Sequence, residues 1–351
     1  MMLVSPEVLH EQIVAILAAW GAPAHKAEAA ADVMVDTDLS GIDSHGVAML
    51  QFYEELRDSG RLVLDAEPEV LEDRHGFAVL DAREGLGHPI AIEAMKTAAA
   101  KAKRSGIGAV AVRGSNHFGA LGYYARLAVE EGCIGFVTTA TRTKVASATG
   151  GVSPVLGTNP LAFAAPAAGA EPLVVDMSTS VVALNKVRAY GLRGKPLPSG
   201  WVIDSAGEPL TDGLEAYELL RRGEATICAL GGAGTENGGH KGFGLSLMVQ
   251  ILSSALAGAG QPGHEDDRDN LGHFFMAIDV SAGVSAETVP SYVAELIANV
   301  RSGPGEVLVP GEPEEASRRM REAEGIPVPD ALLEGVRGVA ERAGAPFLIG
   351  A

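Results

Sequence analysis

Apolar residues recur with a helical period through the first part of the chain. Val8, Leu9, Ile13, Ile16, Leu17 and Trp20 share one face of a helix that Ser5 caps, Pro6 opens and Gly21 closes. An alanine-rich second helix starts at Pro23 and runs to about Ser40. A third places Val47, Leu50, Tyr53 and Leu56 on one side and stops at Gly60. From about residue 68 the pattern changes to strands alternating with helices. Strands are predicted over 77–81, 107–112 and 133–138, with helices from Pro89 to Arg104 and from the 114–120 loop to about Glu131. That order is βαβαβ-like. The Lys101-Ala-Lys-Arg104 end places cations where a helix dipole favours them.

Further along, 145–170 carries no charged residue and is rich in glycine, proline and threonine, which predicts buried turns and short strands lining a ligand site. A strand is expected at 172–176, a loop over 195–212, and a glycine-rich loop over 230–239 that leads into a helix bearing Lys241. The run from Gly242 to Gln261 has no charge for twenty residues, yet holds Gln250, three serines and several glycines. It predicts a helix buried in a core rather than a membrane span. One more strand at 274–280 and helices over 287–301, 312–324 and 330–343 complete the chain, with no internal repeat.

The 351 residues suffice for two domains or one large discontinuous one, and an apolar fraction of 47% makes the chain globular. Its net charge of −18 argues against nucleic-acid and anionic-membrane partners, so an anionic substrate needs a local cation. Two cysteines, Cys133 and Cys228, offer neither a disulfide framework nor zinc spacing, which suits a reducing cytoplasm. The amphipathic opening lacks the basic and apolar regions of a signal peptide.

Only nine histidines occur, and two sit in small, polar settings: His45 in Gly41-Ile-Asp-Ser-His-Gly46, and His117 in Gly114-Ser-Asn-His-Phe-Gly119. Either alone reads as a cap or loop residue. Together, with the glycine and lysine segments downstream, they indicate an active site. Gly239-His-Lys-Gly-Phe-Gly244 puts Lys241 at a helix start, where the dipole disfavours a cation unless an anion shares the site. The letters of 106–111 match G-x-G-x-x-A, but they follow a helix and precede a strand, the reverse of the Rossmann order, so they read as a helix stop. Gly157-Thr-Asn-Pro160 and Asp176-Met-Ser-Thr-Ser180 are polar turns beside apolar strands.

Five segments in order, GIDSHGVAML (41–50), GSNHFGALGYYA (114–125), LGTNPLAFAAP (156–166), VVDMSTSVVALNKV (174–187) and GGHKGFGLSLMVQIL (238–252), resemble the malate/L-lactate/sulfolactate dehydrogenase family, and 310–328 fits too. This non-Rossmann group of NAD(P)-dependent oxidoreductases also includes ureidoglycolate dehydrogenase, 2,3-diketogulonate reductase and cyclic imino-acid reductases. The resemblance implies a mixed α/β fold. A non-Rossmann dinucleotide-binding domain with a mixed sheet would span 71–285, and a helical domain would be built from both chain ends, 1–70 and 286–351. It further implies a homodimer acting on a small 2-oxo/2-hydroxy acid with NAD or NADP, NAD preferred. His45 matches the family's catalytic histidine, with Ser44 beside it, and His117 a second active-site histidine. Cofactor contacts map onto Asp176, Met177, Ser178, Lys241, Gly242, Gly311 and Glu312. On the substrate side the candidates are Met49, Thr158, Asn159 and Arg142.

Two departures bear on the substrate. Relatives commonly carry an arginine four residues after the first histidine, where this chain has Met49. Either Arg113, Arg142 or Lys144 replaces that carboxylate clamp, or the substrate differs. Some imino-acid reductases place an aspartate near the position of Lys186, whereas this chain has Asn185-Lys186. That favours hydroxy-acid chemistry over imine reduction, the alternative reading.

Overall fold

A computed structural model describes residues 1–141, 143–263 and 270–350. It opens with β1 (Met2–Val4), α1 (Pro6–Ala19), α2 (Ala24–Leu39), a 3-10 turn at Val47–Met49 and α3 (Leu50–Asp58). Next come β2 (Glu69–Asp73), β3 (Phe77–Asp81), α4 (Gly87–Ser105), β4 (Ile107–Ser115), α5 (Leu121–Glu130) and β5 (Cys133–Ala140). Short elements follow: β6 (Ala146–Ser147), β7 (Pro154–Leu156), β8 (Leu161–Ala165), β9 (Leu173–Met177), α6 (Leu184–Leu192), β10 (Val202–Asp204), α7 (Gly213–Arg222) and β11 (Ala225–Ile227). The chain then forms α8 (Gly239–Gln250), a π-turn at Ile251–Ala255, β12 (Leu271–Asp279), α9 (Thr288–Arg301), α10 (Glu312–Glu324), β13 (Ile326–Val328) and α11 (Asp330–Ala343).

The fold is mixed α/β, centred on a seven-stranded sheet of order β2-β3-β4-β12-β5-β8-β9. Among the described residues of this sheet, only β3 and β4 are parallel neighbours. Between β4 and β5, where a Rossmann sheet would pair parallel strands, β12 lies antiparallel to both. The βαβαβ order of the sequence is therefore present, but its third strand is one place removed from the second. Gly106 has φ +83° and caps the C-terminus of α4, which confirms the helix-stop reading of the G-x-G letters.

Strand alternation divides the buried residues between two faces. Val110, Val112, Phe275 and Ala277 pack with α4 and α5, while Ala111 and Phe274 pack with Leu252 and Ala257 on the opposite side. The two chain ends share another core. Ile13, Ile16 and Leu17 of α1 meet Tyr53 and Leu56 of α3 and Val336 and Val339 of α11, and β1 pairs with β13. By contrast α9 lies beside the 167–170 turn, where Pro290 accepts a hydrogen bond from Ala168 N–H.

Two expectations are corrected. The segment 195–212, read as loop, contains the short strand β10, which with α6, α7 and β11 encloses a small core around Val187, Val202, Ala216 and Ile227. The uncharged run from Gly242 is not buried within one chain. Gly242, Ser246 and Val249 face inward, while Leu247, Met248, Ile251 and Leu256 are exposed. The physical reason is a close approach: a Cβ on Gly242 would fall 2.2 Å from the Leu230 carbonyl oxygen, so the small residues of α8 face the body and the large ones face out. No described helix is long and apolar enough to cross a membrane.

Candidate active site

The loop between α2 and α3 carries Ser44 and His45, and the C-terminal helix α10 fastens it. Arg321 donates to the Asp38 carbonyl oxygen at 2.5 Å and ion-pairs with Asp43, while Arg318 donates to Asp36 Oδ1 at 2.6 Å and to Ser40 Oγ at 2.9 Å. At the base of the loop Asp38 Oδ2 accepts the Val47 N–H at 2.8 Å, capping the 3-10 turn. Gly46 is required there, because a Cβ would lie 2.0 Å from Asp38 Oδ1.

Burial pushes the Asp38 carboxyl up to about 7, with the nearby Asp43 charge adding to the rise and the Val47 N–H and Arg321 opposing it. Folded Asp38 thus holds its proton where the unfolded chain has lost it. This group stabilises the fold at low pH, and the contribution is lost as pH rises from about 4 to about 7, with a slope of at most roughly 1.4 kcal/mol per pH unit. Asp38→Asn, which keeps an acceptor for Val47 without ionising, should therefore gain stability relative to the parent across that window. Urea titrations at several pH values check this; parallel pH dependences for the two proteins would exclude it.

His45 and His117 meet across the cleft, with ring centroids 5.4 Å apart and planes inclined by 34°. Both rings are half-buried. Ser44 Oγ sits 2.8 Å from His45 Nδ1. Tyr53 Oη lies 2.8 Å from His117 Nδ1 and 3.2 Å from His88 Nε2, and Phe52 stands edge-on to His117 at 6.2 Å. Burial holds His45 below the usual histidine range. His117 is held well below it by burial and then by the neighbouring imidazoles of His45, His88 and His273. His88 is pushed down to about 3 by burial alone. The cluster is therefore neutral at pH 7, with the Nδ1 atoms of His45 and His117 engaged by hydroxyls.

Sequence reasoning counted Tyr53 only as a core residue and passed over His88. The signal available was His88 directly before Pro89, at the start of α4 and next to an apolar face; a histidine there must find a polar partner once buried.

The proposed cofactor residues gather along the edge of the sheet. Asp176, at the end of β9, accepts the Gly122 N–H at 2.7 Å at the start of α5. It shares a cleft with Ile42, Ala120, Gly122, Val174 and Gly311. Gly311 has φ +97° and packs against Val174, which a Cβ would approach to 3.2 Å. Glu312 folds back to accept the Val309 N–H at 2.7 Å and pairs with Arg301. Met177 and Ser178 lead to Thr179, whose carbonyl accepts the Leu230 N–H at 2.9 Å, and Leu230 is the residue on which Gly242 closes. Lys241 is exposed in the first turn of α8. One continuous edge thus runs from Gly311 through 176–179 to Lys241.

The substrate candidates divide. Met49 is half-buried against the helical core of the chain ends. Thr158 is half-buried and turns its carbonyl to Thr179. Asn159 is fully buried with φ +38°, and its side chain accepts from Thr141 N–H while donating to the Ser246 carbonyl and Gln250 Oε1, both at 3.1 Å. Both Nδ2 hydrogens of that side chain are engaged within the protein. Arg142 lies outside the described residues. Of the alternative clamps, Arg113 donates to Asp81 Oδ2 at 2.9 Å, and Lys144 is exposed near Gly263.

A family model described as malate/L-lactate dehydrogenase matches residues 4–337. The chain belongs to the malate/L-lactate dehydrogenase family. It is 40% identical to a malate dehydrogenase of Pyrococcus abyssi over 341 residues, covering 95% of this chain and 92% of that protein. An L-sulfolactate dehydrogenase of Methanothermobacter thermautotrophicus is 34% identical over 345 residues, 97% of this chain and 96% of the relative. The crystal structure of malate dehydrogenase from Entamoeba histolytica superposes with a TM-score of 0.94 at 32% identity, covering 98% of this chain and 99% of that one. Members of the malate/L-lactate dehydrogenase family are NAD(P)-dependent dehydrogenases acting on hydroxy acids, and this chain is one of them.

Proposed function

We propose that His45 moves the proton in hydride exchange between a nicotinamide and the C2 carbon of a small 2-oxo/2-hydroxy acid. The observation that carries this is the facing pair of neutral, half-buried imidazoles, His45 and His117, each with Nδ1 engaged by a hydroxyl. The residues of the cleft fit a dinucleotide: Gly122 and Gly311 pack closely on β9 and line the cleft with backbone alone, and Lys241 offers a cation at a helix start. A bound nicotinamide supplies or accepts the hydride.

The remaining steps fall to the chain. Ser44 Oγ can accept the His45 Nδ1–H in both protonation states, so only Nε2 gains and loses a proton. His45 Nε2 delivers that proton to the carbonyl oxygen in reduction and withdraws it from the hydroxyl in oxidation. His117 binds a substrate oxygen. The Asp176–Ser178 turn with Gly311 and Glu312 takes one part of the cofactor, and Lys241 with Gly242 takes another. The cleft around Asp176 holds more carboxylates than cations, and its Arg126 and Arg318 are both paired with Asp36, which favours NAD over NADP, whose extra phosphate needs a cation. The exposed Leu247, Met248, Ile251 and Leu256 form an apolar stripe that a second copy would cover in a homodimer; a monomer in sedimentation would remove that reading.

The substrate is inferred from Met49. A half-buried thioether four residues after His45, packed on the helical core, gives no partner to a second carboxylate. With either nicotinamide, the enzyme should reduce a 2-oxo acid bearing a longer apolar substituent with a kcat/KM at least roughly tenfold above that for oxaloacetate, the worth of one charged hydrogen bond. Following nicotinamide absorbance over a panel of 2-oxo acids tests this. A clear preference for oxaloacetate would discard the apolar-pocket reading, and no turnover of any 2-oxo acid would discard the reaction.

A further inference from the structure

Tyr53 and His88 are buried titratable groups to which the proton transfer assigns no task, at 1% and 0% exposure respectively. Their hydrogen bonds nevertheless converge on the active site. Gly119 N–H points at His117 Nδ1 at 3.4 Å, and an amide can only donate, so this nitrogen must present its lone pair. Tyr53 Oη, 2.8 Å from the same Nδ1, must then donate to it as well. Having one hydrogen, the Tyr53 hydroxyl can only accept from His88 Nε2 at 3.2 Å, which places the His88 proton on Nε2.

His88 Nδ1 is buried without a hydrogen-bond partner. In this arrangement it is a bare acceptor. The reverse arrangement would bury an N–H with nothing to donate to, and would turn the His117 Nδ1–H against the Gly119 N–H. The titratable side chains that act on His117 are His45, His88 and His273, all imidazoles, and Tyr53 is its hydroxyl partner.

We propose that Tyr53 and His88 are positioning residues that hold His117 in one neutral tautomer, protonated on Nε2, so that it meets the substrate only as a hydrogen-bond donor. This rests on reading His45 and His117 as the active site. It divides the labour between two similar rings: His117 is a fixed donor to a substrate oxygen, and His45 alone exchanges a proton.

The test uses ligand-free enzyme labelled with ¹⁵N-histidine, with the His117 signals assigned by their loss in His117→Gln. Two-bond ¹H–¹⁵N spectra should give His117 a pyrrole-type Nε2 and a pyridine-type Nδ1. Tyr53→Phe removes the 2.8 Å bond and leaves Nδ1 only the long 3.4 Å Gly119 contact, too weak to hold one tautomer, so it should give a tautomer mixture and raise the KM for the 2-oxo acid by about 3–10-fold, more than it changes kcat. His88→Gln, which can still donate to Tyr53, should keep the parent pattern, whereas His88→Leu should not. A parent His117 protonated on Nδ1, or a pattern unchanged in Tyr53→Phe, would overturn the proposal. The spectra need no turnover, so a failure of the His45 assignment would appear separately, in the kinetics of His45→Ala.

Discussion

His45→Ala lowers kcat for both directions of hydride transfer by about 10²–10⁴-fold, the usual worth of a positioned general acid–base, while the affinity for the nicotinamide cofactor is retained. The expectation follows from the loop geometry. Ser44 fixes Nδ1 of the ring, and the histidine is half-buried opposite His117. Burial holds its proton affinity below that of free imidazole, so the oxidation rate should stay level through neutral pH and fall only on the acid side, as His45 becomes protonated. His117→Ala should cost less in kcat and more in KM. Near-normal turnover in His45→Ala with abolished turnover in His117→Ala would reverse the two roles. Steady-state kinetics and cofactor titration on the two variants decide between them.

Gly46→Ala is expected to be among the most damaging single-methyl changes near the site. The new Cβ would fall within 2.0 Å of Asp38 Oδ1, and Asp38 is only 2% exposed, so its carboxyl cannot swing into water without leaving Val47 N–H uncapped. Displacing a buried, capping carboxyl should cost more than about 2 kcal/mol of stability and should lower kcat as well, because His45 is the adjacent residue. Denaturant unfolding and kcat measure the two effects. Asp38→Ala added to Gly46→Ala makes room for the methyl and should recover part of the stability. A single variant as stable as the parent would mean that the loop relaxes freely.

Elements whose partners are near in sequence were legible. The periodicity of Val8 to Trp20 and of Val47 to Leu56, the strand at Phe77–Asp81 and the helix Glu312–Glu324 agree with the structure because each repeats its buried positions at the period of its own secondary structure. The Gly106 stop was legible for the same reason. Less visible was anything decided at long range. Nothing within 271–279 says that the strand enters between β4 and β5. The outward face of α8 is fixed by the approach of Gly242 to Leu230, and that lies outside any periodicity. In the site, His45, Ser44 and His117 stood out by residue type, whereas Tyr53 and His88 did not. Their significance is a pair of contacts from different helices, α3 and α4. The three hydrogen bonds of Asn159 to Thr141, Ser246 and Gln250 likewise join distant segments and leave no mark in the sequence.

The antiparallel strand at the centre of the sheet also governs how the protein is made. While a ribosome is still short of residue 271, the strands β2, β3 and β4 and the strands β5, β8 and β9 are already synthesised, but each set has an open inner edge awaiting β12. Such edges are templates for wrong pairing with other chains. Nascent or truncated chains ending before Asp279 should therefore depend on chaperones and aggregate readily, and folding in the test tube should be slow, because its central pairing joins segments more than a hundred residues apart.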